Sequence, residues 1–253
     1  MNSQNHQFRT DGFLYCPQLL SHTDVDVFRK AIHPIYREWL LTTGKKCEAN
    51  CVNMSGLTHP KYFNNSDERV SFFKVLIENN IYSHLKELFN QEILFHNTQL
   101  FFNPKDPDKH PYWHRDLQFS SHSSSTQAES LRHLLSLHVR IPLLPELGIA
   151  IVPGSHKRWD TDEELAVRNS LHNTAVSLQN ERRIFLEPGD VFIFHSESIH
   201  RGIYAGNDQR LSLDLCLGHP HPLTEDYFDA ELSPTWQEYQ KIPQPSWYRV
   251  PLF

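Results

Sequence analysis

His114 and Asp116, in Trp113-His114-Arg115-Asp116, place an imidazole and a carboxylate two residues apart. A second imidazole, His200, follows the Gly189-Asp190 turn, and a guanidinium, Arg210, comes after it. Two neutral imidazoles and one carboxylate on one face of a divalent metal leave the opposite positions open, a donor set suited to non-haem Fe(II) chemistry. The guanidinium suits a carboxylate-bearing co-substrate. With 17 His in 253 residues, chance alone supplies roughly one His-x-Asp, so the triplet carries no weight without its surroundings. His22-Thr23-Asp24 is such a chance case. Ser21 and Asp24 have capping-box spacing ahead of an apolar run, so that segment reads as a helix start.

The elements that must hold these groups follow from periodicity. Phe8 to Leu20 reads as a turn at Asp11-Gly12 and a short strand. Val25, Phe28, Ile32, Ile35 and Trp39 recur at three and four residues, one stripe of an amphipathic helix that Pro34 should kink or shorten. Asn50 to Asn65 reads as loop, and Phe72, Val75, Leu76, Leu85, Leu88 and Phe89 predict one or two further helices. From Ile93 the chain turns β-rich, with strands expected over 93–102, 137–142, 149–152, 183–186, 191–195 and 210–217, each bounded by turn residues. Thr161 to Leu165 opens an inserted helix, and the serine run Ser120 to Ser125 reads as a mobile loop. Helices first and many short strands after them indicate an α+β chain, mainly β, with a barrel or sandwich core.

Residues two apart in a strand share a face, so His114 and Asp116 should project together. The last strand alternates most clearly: Leu211, Leu213, Leu215 and Leu217 face one way, and Arg210, Ser212, Asp214 and Cys216 the other. The leucines require apolar cover, which the N-terminal helices can give. The polar face then lines the interior with Arg210 beside Ser212, and a buried guanidinium needs an anion. A bidentately held carboxylate meets that need.

Composition sets the outer limits. The chain is 39% hydrophobic and 21% charged, ordinary for a soluble globular protein, with a formal net charge of −6. Its Lys and Arg residues are scattered, so no nucleic-acid partner is expected. There is no apolar leader and no run long enough to span a bilayer, so no membrane is expected and cytoplasm is the default. Cys16, Cys47, Cys51 and Cys216 do not make a disulfide framework, and Cys47-x-x-x-Cys51 reads as reduced thiols in a loop.

Four pieces in order now resemble the phytanoyl-CoA dioxygenase family of Fe(II)/2-oxoglutarate-dependent oxygenases. They are the Phe8 to Leu20 opening, Trp113-His-Arg-Asp116, Val152-Pro-Gly-Ser-His156, and the Pro188-Gly-Asp190 strand running through His200 to Arg210-x-Ser212. The resemblance implies a double-stranded β-helix (jelly roll) with N-terminal helices buttressing one sheet. A chain of this length reads as a single domain over 1–253: a mostly helical part over 1–92, a jelly-roll core over 93–220 and a tail over 221–253, of which the proline- and aromatic-rich Leu232 to Phe253 is expected to pack over the barrel. By resemblance, His114, Asp116 and His200 bind Fe(II), while Arg210 and Ser212 hold the distal carboxylate of 2-oxoglutarate. Gln99 is a further candidate for contact with the co-substrate. O2 is consumed, and succinate and CO2 are released. Related halogenases carry a small residue in place of the carboxylate, so the presence of Asp116 favours hydroxylation of an unactivated C–H.

A small-molecule substrate is the leading expectation, with a monomer and a homodimer equally open. The alternatives are the same chemistry on a protein or other macromolecule, and a non-catalytic jelly-roll binding protein. His156 reads as structural, bonding backbone in its turn. His195, His138, Arg140, Asn103 and Trp113 stand between lining the site and serving the scaffold.

Overall fold

A computed structural model of the chain describes residues 3–44, 50–169, 176–204, 209–225 and 228–249. Among the described residues, nine strands make two antiparallel sheets. In chain order they are β1 (Phe13–Cys16), β2 (Asn53–Ser55), β3 (Leu94–Phe102), β4 (Ser136–Pro142), β5 (Glu146–Ile151), β6 (Arg182–Leu186), β7 (Val191–His195), β8 (His200–Gly202) and β9 (Leu211–Gly218). The large sheet runs β1-β7-β4-β9-β3-β2 and the small one β6-β5-β8. Phe192 and Phe194 of β7 pack against Ile149, Ile151 and Leu186 of the small sheet, so the two sheets meet face to face as a jelly roll.

The alternation in β9 sorts the molecule into layers. Leu213, Leu215 and Leu217 join one core with Phe28, Ile32 and Ile35 of α2 (His22–Trp39), with Phe73 and Leu76 of α3 (Ser66–Ile77), and with Ile81 and Leu85 of α4 (Asn80–Leu88). Each such side chain contributes roughly 1.5–3 kcal/mol on burial. The opposite face of β9 turns Asp214 and Cys216 between the sheets, where they line a cavity. One end of the space between the sheets is thus filled by apolar side chains, and the other is a hollow lined by polar and aromatic ones together.

Ser21 caps α2 through the Asp24 amide, and Asp24 reaches back to the Ser21 amide, as the capping box predicts. The helix does not stop at Pro34 but runs on to Trp39. Proline removes one helical hydrogen bond there, and the buried stripe on both sides of it, Ile32, Ile35 and Trp39, holds the helix together. The serine run is not a loop throughout: Ser123 caps a helix, α5 (Ser124–Ser130), by accepting from the Thr126 amide. Asn50 to Asn65 is not all loop either, because Asn53, Met54 and Ser55 pair with Phe101, Leu100 and Gln99 as an edge strand. An additional helix, α1 (Ser3–Asp11), precedes the opening strand and buries Phe8.

The C-terminal tail packs against both the helical layer and β3 of the large sheet, where the Phe95 amide donates to the Trp247 carbonyl at 2.8 Å and the Phe95 ring meets Tyr248. Arg69 of α3 pairs with Glu238 at 2.8 Å, Tyr248 Oη donates to the Phe73 carbonyl, and Trp247 and Tyr248 enter the helix-side core. Residues 250–253 lie outside the described residues. Cys16 and Cys216 are free, whereas Cys51 is disulfide-bonded, which corrects the reading of the Cys47–Cys51 segment as reduced thiols. Cys47 itself lies outside the described residues. Among those residues no helix is long and apolar enough to cross a membrane.

Candidate metal centre and its cavity

His114 and His200 are brought side by side by the backbone. They form an isolated antiparallel bridge, with His114 N donating to His200 O at 2.9 Å and His200 N to His114 O at 3.0 Å. Directly opposite residues put their side chains on one face, and the two rings sit 4.2 Å apart. Asp116 arrives differently from the expected strand alternation. The chain leaves the bridge after His114 and Asp116 opens a short 3-10 turn, Asp116–Phe119, anchored by its amide on the Ser196 carbonyl. The turn still aims the carboxylate at the histidines: Asp116 Oδ1 lies 3.7 Å from Nε2 of each. These three residues are the one group among the described residues whose ligand atoms could share a metal ion.

Both histidines are fixed in the tautomer a metal requires. His114 Nδ1 lies 3.1 Å from the Tyr112 carbonyl, and His200 Nδ1 lies 2.9 Å from the Ser198 carbonyl. Carbonyls only accept, so each Nδ1 carries the proton and each Nε2 keeps its lone pair facing Asp116. Burial holds both rings neutral, pushing His200 down to about 3 and lowering His114. Burial works against the Asp116 charge, but His138, His200 and His114 outweigh it and hold the carboxyl well below the usual range. The set offered is two neutral nitrogens and one anionic oxygen, which fits a divalent iron.

Arg115, between two of the three, points the other way and is fully buried. Its guanidinium donates to Asp160 Oδ1 at 2.8 Å, to the Ser155 carbonyl at 2.9 Å, to the Arg158 carbonyl at 3.1 Å and to the Glu197 carbonyl. One side chain thereby ties the His114–Asp116 turn to the Val152–His156 turn and to the approach of His200. Glu197 Oε1 accepts from the Leu117 amide at 3.1 Å, and burial together with Asp116 pushes its carboxyl up to about 8. Period-based reading does not reveal such residues, since nothing in a spacing says which turns a buried arginine will bridge.

The three face a cavity of about 410 Å³, within the ordinary range for small-molecule sites. Arg210, Gln99, His138 and Arg140 line it, together with Phe101 and Tyr204. Arg210 is 5% exposed and its Nε donates to Glu146 Oε2 at 3.0 Å. Glu146 thus supplies an anion to the buried guanidinium from within the chain, through Nε. Burial lowers the Arg210 pKa and Glu146 opposes that shift. Gly202, two residues beyond His200, makes room for this group, because a Cβ there would stand 2.9 Å from Arg210 Nη2. Ser212 is fully buried but absent from the cavity wall. Gln99 accepts from Asn53 Nδ2 at 3.4 Å.

Glu146 reaches Arg210 because β5 is irregular. Glu146 pairs with Leu186 and Ile149 with Ile184, so β5 holds an extra residue that puts Glu146 and Ile149 on one face. Gly148 permits the bulge: its φ is +77°, and a Cβ would fall 1.6 Å from the Ile184 carbonyl oxygen. His138 and Arg140, on adjacent inward positions of β4, join the site through Asp214. Burial disfavours the His138 cation, but Asp116 and Asp214 raise its pKa to about 10.

The remaining candidates belong to the scaffold. Trp113 is buried in an apolar cluster and donates to the Val176 carbonyl. His195 Nε2 bonds the Leu134 carbonyl at 3.0 Å, and burial pushes this ring down to about 4. His156 packs beneath Gly12, and burial pushes it down to about 3. Asp190 accepts from Tyr15, Gln18 and the Glu187 amide, fastening β1 to the turn before β7.

The model of the phytanoyl-CoA dioxygenase family matches residues 8–204. No curated protein matches the chain. Several solved structures share its fold. EctD from S. alaskensis with bound Fe is 16% identical, with a TM-score of 0.60 over 86% of this chain and 76% of that one. HygX from Streptomyces hygroscopicus with nickel and 2-oxoglutarate bound is 15% identical, with a TM-score of 0.58 over 86% of each chain. The non-heme alpha ketoglutarate dependent carbocyclase SnoK from nogalamycin biosynthesis is also 15% identical, with a TM-score of 0.57 over 86% of this chain and 83% of that one. At such identities the likeness is one of fold, while the family match spans well over half the sequence. The chain belongs to the phytanoyl-CoA dioxygenase family.

Proposed function

We propose that the protein is an Fe(II)- and 2-oxoglutarate-dependent oxygenase that hydroxylates an unactivated C–H of a small molecule, consuming O2 and releasing succinate and CO2. The observation that carries this reading is the pair of Nε2 lone pairs, locked by backbone carbonyls, converging with Asp116 Oδ1 on a cavity that has Arg210 in its wall. Bound iron and 2-oxoglutarate would together activate O2, the oxidant that no side chain can supply. His114, Asp116 and His200 hold the metal, and Arg210 receives the distal carboxylate of the co-substrate, with Gln99 in the same wall. Ser212 can assist Arg210 only if its buried hydroxyl turns toward the cavity.

The charge pattern supports the same reading. Arg140 and Arg210 stand in the same cavity wall as Asp116, so the lining offers guanidinium groups to an anionic co-substrate beside the carboxylate that would face a metal. In comparable folds, EctD holds iron and HygX holds nickel and 2-oxoglutarate. A cavity of this size fits a small molecule better than a polypeptide segment. The test is succinate formation from 2-oxoglutarate, followed by mass spectrometry with metabolite pools. We expect turnover to require Fe(II) and to vanish in His114→Ala and Asp116→Ala. Succinate formation that is equal in the wild type and in these variants would overturn the proposal.

A further inference from the structure

The two oxygens of Asp116 have different surroundings. Oδ1 looks toward Nε2 of His114 and of His200, at 3.7 Å from each. Oδ2 is turned away and lies 2.7 Å from His138 Nε2. The other ring nitrogen, His138 Nδ1, lies 2.9 Å from Asp214 Oδ2. Asp214 in turn accepts from Arg140, through Nε at 2.7 Å and Nη2 at 2.9 Å. The β-sheet register builds this row: Arg140 is opposite Asp214 and His138 opposite Cys216, so all three chemistry-bearing side chains emerge on the cavity face of β4 and β9. The His138 ring is further held by stacking on Phe194 at 5.1 Å. Every degree of freedom of the ring is taken up before it meets Asp116.

We propose that His138, aligned by Asp214, is a positioning residue that tethers Oδ2 of Asp116 and so keeps this carboxylate a one-oxygen ligand. The inference rests on the metal-site reading above. A free carboxylate can offer a metal one oxygen or both. Were both to bind, Asp116 would take up a position that the facial arrangement of two histidines and one carboxylate leaves open for other ligands. A donor already engaged with Oδ2 prevents this, and it also fixes the direction in which Oδ1 presents its lone pairs. Residues that orient metal ligands in this way typically alter metal affinity or activity by about 10–100-fold when removed.

The experiment uses Co(II) as a probe, because its visible absorption reports coordination number without turnover. His138→Phe keeps a ring to stack on Phe194 and removes both hydrogen bonds. We expect it to bind Co(II) about 10–100-fold more weakly and to change the absorption spectrum. His138→Gln, whose amide can still donate to Oδ2, should move both readouts back toward the wild type, and Asp214→Asn should fall between. A His138→Phe protein that folds and matches the wild type in affinity and spectrum overturns the inference alone. If His138→Phe fails to fold, an Asp214→Asn protein that matches the wild type in both affinity and spectrum overturns it equally. Absence of Co(II) binding by the wild type would instead overturn the metal site itself.

Discussion

The central question at the scale of residues is how a buried set of charges is kept ready for a dianionic co-substrate without collapsing on itself. Arg210 is held through Nε by Glu146, which fixes the plane of the guanidinium, while Gly202 leaves space at Nη2. Arg210→Ala should therefore raise the 2-oxoglutarate concentration needed for half-maximal succinate formation by at least about tenfold, the loss of one charge-assisted contact. Fe(II) affinity should stay close to that of the wild type, since Arg210 bonds none of the three candidate ligands. Unchanged co-substrate dependence would remove Arg210 from the role. Gly202→Val should act in the same direction by pushing the guanidinium aside. Arg210 stood out from the alternation of the last strand, whereas His114, Asp116 and His200 took on meaning only once the family resemblance set their segments in register. Glu146 did not stand out, because it sits before a bulge and outside any regular period. The partner of Arg140, Asp214, was visible as an inward-facing residue of the last strand, but a single strand does not reveal what lies opposite it.

Elements are positioned by two devices that carry their own tests. The first is the Gly148 bulge, which places Glu146 and Ile149 on one face. Gly148→Ala would set a Cβ 1.6 Å from the Ile184 carbonyl oxygen in a conformation with φ +77°. It should destabilise the fold by several kcal/mol, or more than the roughly 1–3 kcal/mol typical of strained backbone alone. A urea midpoint equal to the wild type would contradict this. The second device is the Arg115 clamp, in which Asp160 also accepts from Arg168. Asp160→Ala leaves two buried guanidinium groups short of their anion and should cost about 3–5 kcal/mol in chemical denaturation. The longer strands of the large sheet were legible because turn residues bound their β-rich runs and, in β9, because the alternation is regular. The edge strand β2 was not, since three residues carry too little pattern, and the Ser123-capped helix was hidden by a composition that serves loops and N-caps alike.

The whole molecule responds to pH through groups that folding keeps in unusual protonation states. Burial holds His156 at about 3 and His195 at about 4, below the ordinary imidazole value of about 6.5. As pH falls below about 6.5 the unfolded imidazoles gain protons that the folded ones refuse, so stability falls with pH. Glu197, raised to about 8, and His138, raised to about 10, work oppositely. Their stabilisation is complete below the unfolded values and is lost as pH rises through the folded ones. The metal-free protein should therefore be most stable near pH 6.5, with lower urea midpoints at both pH 5 and pH 9. A midpoint still rising at pH 9 would show that these buried groups do not govern its stability.

At the same scale, the sheets, the helical layer and the tail all serve to hold three ligand atoms around one point. That claim is tested most directly by an anaerobic titration of the protein with Fe(II) in the presence of 2-oxoglutarate, read as visible charge-transfer absorption. Saturation at one iron per chain, lost in Asp116→Ala and requiring more 2-oxoglutarate in Arg210→Ala, is the expected result. Absorption that never saturates, or that is the same in Asp116→Ala as in the wild type, would contradict it.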